Sequence, residues 1–313
     1  MGYLDKKIII NRLAKIKYLY KIGVEQSMQE GTFAGFSILS FHDCVEMFLL
    51  LVLEDRGDPR PKDEVKKKKE ISFMGYWDCF KELTLKESMN LLKERRRNIK
   101  HKGIFPSKSD VEESRVTITQ FFRENTKSLF KQDFDTISLA DLIEYPQIKK
   151  YVQNAESALS QDNTYDCLVN ARVGFEELLS SYESNKRQWR DSIFYVGEKV
   201  GMDYRSLVAN NKDGLRWFEQ VTKTTNAVRN ILKVTALGID YKKYALFDFI
   251  TPNVVETCGI GEDKYAKEPK ENFESTRTIT PQDCHFCINF VIDSALKLQE
   301  FDFSISKYLE IKG

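Results

Sequence analysis

The segment Lys93-Glu94-Arg95-Arg96-Arg97-Asn98-Ile99-Lys100-His101-Lys102-Gly103 closes a run of helix-forming sequence that opens near Leu85. Gly103 and Pro106 stop that run, glycine by favouring left-handed backbone and proline by being unable to extend a helix. The segment gathers an arginine cluster, an asparagine and one of the chain's three histidines. A helix C-terminus favours positive charge by about 0.3–1 kcal/mol, so a basic helix end with an exposed histidine is one reading. The other is chemical. Cutting RNA without a metal requires a base for the ribose 2′-OH and an acid for the leaving oxygen, and histidine titrates in the range where both are possible. It also requires a cationic donor for the phosphorane charge, which arginine supplies in bidentate fashion.

Outward from this segment the periodicity is helical and strand alternation is scarce. The pattern predicts helices over 6–28, 32–54, 72–82, 85–101 and 110–130, with Phe33, Phe36, Leu39, Phe41, Val45, Phe48 and Leu49 on buried faces of the second. Gly57-Asp58-Pro59-Arg60-Pro61 ends that second helix, and Ser109 or Asp110 is a ready N-cap for the fifth. The expected domain therefore covers 1–131, with a linker over 132–145. A second helical domain is expected over 146–313, with helices over 148–159, 165–183, 191–200, 214–234 and 281–299. A turn is expected at Gln161-Asp162-Asn163, and a long loop or small excursion over 251–279. The fold class read from this is all-α.

The 313 residues suit two domains, and 48 Lys+Arg against 47 Asp+Glu leave no global charge argument for a nucleic-acid partner. Local clustering is the only electrostatic signal. Besides the segment above there is Lys66-Lys67-Lys68-Lys69, either a solvated loop or a phosphate-contacting arm. No stretch approaches the roughly 20 uninterrupted apolar residues of a membrane span, and Ile8-Ile9-Ile10 is too brief for a signal peptide. The expectation is a cytoplasmic protein without a membrane partner. Of six cysteines only Cys284 and Cys287 cluster, with Cys258 as the one further plausible donor, so a structural metal is not expected. Phosphate-binding glycine loops, nucleophile elbows and metalloprotease helices are missing from the sequence, which removes the enzyme classes that depend on them. No cofactor is expected.

The spacing Arg96-x-x-x-x-His101 resembles the R-x4–6-H signature of the HEPN superfamily, and Arg96-Arg97-Asn98-Ile99-Lys100-His101-Lys102-Gly103 looks like the Arg-rich helix ends of HEPN proteins in bacterial defence systems. Ser40-Phe41-His42-Asp43-Cys44-Val45-Glu46-Met47-Phe48 is similar to the second HEPN helix, which carries an acidic residue facing the catalytic helix. The resemblance covers roughly 6–130. It implies a homodimer whose Arg/His pairs meet at a cleft between protomers. It also implies metal-independent cleavage of single-stranded RNA that leaves a 2′,3′-cyclic phosphate, and a role as a defence or toxin effector open to a regulatory protein partner. Arg96 and His101 are then the catalytic pair. Arg97 stays open, because it lies four residues before His101 and shares its helix face more closely. Asn98, Lys100, Asp43, Glu46 and His42 are supporting candidates, the last also readable as a core histidine. Arg95 and Lys102, with the lysine run, would contact RNA. Some family members are silenced by modification of a tyrosine two residues after the histidine. Here Gly103 stands at that position, so control by that route is not expected.

In the second half, Arg229, Asn230, Lys233 and Val234 align with Arg96, Arg97, Lys100 and His101. The second domain is thus either a degenerate HEPN-like copy without the histidine or a bundle that matches by chance. Tyr241, Tyr244, Phe247 and Phe249 can stack bases or pack a core. The competing function is a non-enzymatic adaptor or ligand-sensing dimer built on the same bundle.

Overall fold

The computed structural model describes residues 2–60, 70–184, 186–188, 191–192, 211–257 and 264–305. Helix dominates them, and the only strands among them form two two-stranded ladders. The chain divides into two compact units, Met1–Leu142 and Ile143–Gly313. An all-α class is what the periodicity predicted.

Unit 1 contains α1 (Lys6–Ser27), a 3-10 turn (Gly31–Phe36), α2 (Ser37–Arg56), α3 (Gly75–Cys79), α4 (Lys86–Lys102), α5 (Lys108–Phe130) and a closing 3-10 turn (Leu139–Leu142). α2 is its central element. Phe41, Val45, Phe48 and Leu49 are fully buried on it and meet Leu13 and Ile16 of α1 and Phe121 and Phe122 of α5. Gly31–Arg56 is long and apolar enough to cross a membrane by length and composition, although His42, Asp43 and Glu46 interrupt its apolar run. In the fold it is the helix around which the others pack.

Four sequence expectations shift. Phe33 and Phe36, expected inside, are 64% and 40% exposed. They lie on the 3-10 turn, whose three-residue period carries side chains out of phase with the α-helical stripe. The third helix is shorter than expected, since Phe80 and Leu83 turn inward to buried positions just after it. The N-cap of α5 is Ser107, whose side chain accepts from Asp110 while the Asp110 carboxylate accepts from the Ser107 backbone, a reciprocal capping box. And unit 1 runs past residue 131: Phe134 is buried and stacks on Phe122 with ring centroids 4.7 Å apart. Lys17 of α1 donates to the carbonyls of Asp135 and Ile137 at 2.7 and 2.6 Å.

Unit 2 contains α6 (Pro146–Ser160), α7 (Thr164–Ser184), a short ladder of β1 (Arg187–Gln188) with β2 (Asp191–Ser192), α8 (Lys212–Ala236) and α9 (Tyr241–Ile250). These are followed by β3 (Val254–Glu256), β4 (Tyr265–Lys267), α10 (Lys270–Thr276) and α11 (Pro281–Gln299). α6 and α7 form an antiparallel hairpin turned at Asp162, which adopts φ 56°, a conformation aspartate tolerates. Phe175, Phe247 and Phe290 form the centre of the core. Buried Arg172 is paired with Asp248 at 2.5 Å and Glu176 at 3.0 Å. The expected helix at 191–200 begins as strand β2, and residues 193–200 lie outside the described residues. The expected loop over 251–279 instead holds an antiparallel pairing, Val254 opposite Lys267, and α10. The aromatics of α9 divide: Tyr244 and Phe247 are core, whereas Tyr241 and Phe249 are exposed.

Candidate functional site

The inward stripe of α4 carries Met89, Leu92 and Ile99, all buried. Arg96 follows Leu92 by four residues and precedes Ile99 by three, so it occupies a core-facing position on that stripe. Its neighbours follow from this. Arg96 Nε lies 3.9 Å from Asp43 Oδ1 on α2, and the side chain is 28% exposed. The same carboxylate oxygen is 3.7 Å from His42 Nδ1, and Glu46 Oε2 is also 3.7 Å from that nitrogen. Arg96, Asp43, His42 and Glu46 thus form one cluster between α4 and α2. The upstream acidic helix does face the arginine helix.

The adjacent arginines go elsewhere. Arg95 points to α5, donating to Asp110 Oδ1 at 2.8 Å, Glu113 Oε2 at 2.5 Å and Ser114 Oγ at 2.9 Å. With its guanidinium held by three partners, Arg95 is a packing residue rather than a free phosphate donor. Arg97 faces solvent and pairs with Glu94 one turn back at 2.5 Å.

His101 is exposed in the last turn of α4. That end is well defined. Gly103 has φ 65°, its N–H donates to the Ile99 carbonyl at 3.2 Å, and the Ile104 N–H donates to the Asn98 carbonyl at 3.1 Å. The Gly103 bond to Ile99 is the 5→1 closure of a left-handed helix cap. Beyond it Phe105 packs edge-on against Phe36 at 5.0 Å and covers Gly35, where a Cβ would come within 2.8 Å of the Phe105 ring. The chain leaving α4 is therefore anchored to the turn preceding α2. Lys100 and Lys102 are exposed on this last turn and form no ion pair among the described residues. Lys66, Lys67, Lys68 and Lys69 lie outside the described residues, as does Cys258.

His42 is a core residue. It is 2% exposed and stacks on Phe73 with ring centroids 4.2 Å apart. Burial, and then the positive charges of Arg96, Lys100 and Lys93, lower its pKa from 6.5 to about 3. It is thereby held neutral at physiological pH. Phe73 and Lys93, which sequence reasoning passed over, help set this state. An aromatic at position 73 is visible in the sequence, but its pairing with His42 depends on tertiary structure.

Two buried nitrogens in the cluster, His42 Nδ1 and Arg96 Nε, have no hydrogen-bond partner. Leaving such a group unsatisfied costs about 1–3 kcal/mol. Ligand atoms of His42, Asp43 and Glu46 lie within 4.8 Å of one another, the one such metal-competent grouping among the described residues. The three cations around the imidazole oppose a divalent ion there. The same charges favour an anion, and the partly exposed Arg96 guanidinium is a donor suited to phosphate oxygens.

Arg96 and His101 are not brought together within one chain. Five residues of ideal helix separate their directions by about 140°. Their side chains accordingly go to α2 and to solvent.

In unit 2, Val234 of α8 is buried and Lys233 pairs with Glu183 at 3.0 Å. Where unit 1 presents an exposed histidine, the aligned position supplies core. The thiol of Cys284 donates to the Thr164 carbonyl at 3.9 Å and neighbours Cys167 of α7, which the Cys284–Cys287 spacing gave no means of anticipating.

No protein-family model matches the chain, and no curated protein or solved structure matches it.

Proposed function

We propose that the protein is a metal-independent endoribonuclease of the HEPN kind, acting on single-stranded RNA as a homodimer. The observation that carries this reading is the placement of Arg96. It is set on the core-facing stripe of α4 against Asp43, with its guanidinium partly exposed. In the proposed mechanism Arg96 binds the scissile phosphate and stabilises the phosphorane charge, and His101 transfers the proton at the 2′-OH or the leaving 5′-oxygen. Asp43 orients the guanidinium. Lys100 and Lys102 draw the RNA backbone toward the last turn of α4.

The angular separation of Arg96 and His101 fits a composite site, in which the arginine of one protomer works with the histidine of the other. Ile104 and Phe33, 57% and 64% exposed, flank the Phe36–Phe105 contact and give this end of unit 1 an apolar rim suited to a partner protomer. A cytoplasmic defence or toxin effector, with a regulatory partner to restrain it, is the setting such an activity requires.

The same separation favours a second reading, an adaptor or ligand-sensing dimer, if no protomer completes the pair. Incubation of the purified chain with end-labelled single-stranded RNA in EDTA separates the two. The nuclease reading expects fragments ending in 2′,3′-cyclic phosphate. Cleavage that appears only when a divalent metal is added contradicts it.

A further inference from the structure

Unit 2 carries a half-open cavity of about 540 Å³ between α6, α7 and β4. That is within the range of roughly 300–1,000 Å³ typical of small-molecule sites. Its floor is apolar: Val169, Val173 and Tyr265 form a buried cluster, with Tyr151 packed against it. Among the described residues the one carboxylate on its wall, Glu177, is already compensated. Lys264 Nζ donates to it at 2.6 Å and the Tyr265 hydroxyl at 2.9 Å.

What remains uncompensated is cationic and amide in character. Lys150 of α6 and Lys267 of β4 both line the cavity, are exposed, and form no ion pair among the described residues. The side-chain amides of Gln147 and Asn154, also on α6, have no hydrogen-bond partner among the described residues. Gln147 stands in the first turn of α6 and Lys150 at the start of the second; the N-cap, Tyr145, supplies no side-chain cap, and a helix N-terminus favours negative charge.

We propose that this cavity binds a nucleoside phosphate. Ammonium groups and a helix start recognise the phosphate. A primary amide presents a donor beside an acceptor, the pattern that base edges also present. The Tyr151 ring and the valine floor offer an apolar face to the base. A simple oxyanion would engage the lysines and leave the amides idle, whereas an uncharged nucleoside would do the reverse. A nucleotide uses both. The site lies wholly within unit 2 and does not depend on the ribonuclease reading.

Calorimetric titration of the full chain, in an Arg96→Ala/His101→Ala background that removes the α4 site, tests this. The probes are the four ribonucleoside 5′-monophosphates, their nucleosides and inorganic phosphate. At least one monophosphate is expected to bind saturably and more tightly than both its nucleoside and phosphate. Lys150→Ala/Lys267→Ala should weaken it about tenfold or more with thermal stability unchanged, because both side chains are exposed. Hydrogen exchange should show nucleotide-dependent protection in 147–154 and 264–267. Failure of all four monophosphates to bind at millimolar concentration overturns the proposal. So does binding that the double variant leaves intact, or phosphate binding as tightly as any nucleotide.

Discussion

Arg95, Arg96 and Arg97 are adjacent and chemically identical, and the helix sends them to three environments: α5, α2 and solvent. This much was legible. The stripe Met89, Leu92, Ile99 can be drawn from the sequence, and Arg96 falls on it. What could not be read was which element would receive each guanidinium, since that depends on how α4 packs. Nor could the state of His42 be read, because its low pKa comes from burial and from cations on another helix. Two predictions belong at this scale. Replacing Arg96 with Met removes a positive neighbour, so the His42 pKa should rise from about 3 toward its ordinary 6.5, measured by imidazole proton shifts. An unchanged His42 titration would show that the two side chains do not interact. The second concerns stability. The unfolded chain takes up the His42 proton as pH falls through 6.5, but the native chain resists until about 3. The stability contribution is thus full above the unfolded value and is lost progressively as pH drops toward the folded one. Urea unfolding at about pH 7 and about pH 4.5 should show a smaller loss for His42→Gln than for the wild type. Equal losses would remove His42 as a source of acid sensitivity.

α4 shows how one element can present chemistry at both ends of its last two turns. Leu92 and Ile99 hold it to the core, Arg95 ties it to α5, and the closure at Gly103 fixes the direction of the exit. Gly103 and Pro106 made that stop legible. The 3-10 turn before α2 was not, because its composition continues the apolar run and only the change of period distinguishes it. The β3–β4 pairing was also hidden, its strands being too short to show alternation. Arg95→Ala provides the test at this scale. The guanidinium is only 16% exposed, but its carboxylate partners are 42% and 57% exposed, so solvent screening keeps the loss to about 1 kcal/mol. Thermal denaturation should register a drop of a few degrees, while the folded variant keeps its cleavage rate. Loss of cleavage without loss of stability would instead assign Arg95 to the RNA site.

For the whole molecule, sustained helical periodicity was enough to read the class and the presence of two units. The boundary was less legible. Phe134, Ile137 and Ala140 are buried in unit 1 at a three-residue spacing, but the run is too short to stand out from a linker. A dimer is expected from the proposed composite site. Light scattering at micromolar concentration should give twice the mass of the chain, and Ile104→Asp should shift it toward the monomer and depress cleavage together. A wild-type monomer that still cleaves RNA would contradict a cleft shared between protomers.

In the proposed mechanism His101 and Arg96 carry out RNA cleavage without a metal. The most direct measurement is the single-turnover cleavage rate of single-stranded RNA in EDTA for the wild type, His101→Ala and Arg96→Ala. His101 is exposed, so its truncation should leave the melting temperature unchanged. The account predicts that losing proton transfer slows cleavage by about 10²- to 10⁴-fold, with a comparable loss for Arg96→Ala. Wild-type rates in either variant, with the fold intact, would contradict it.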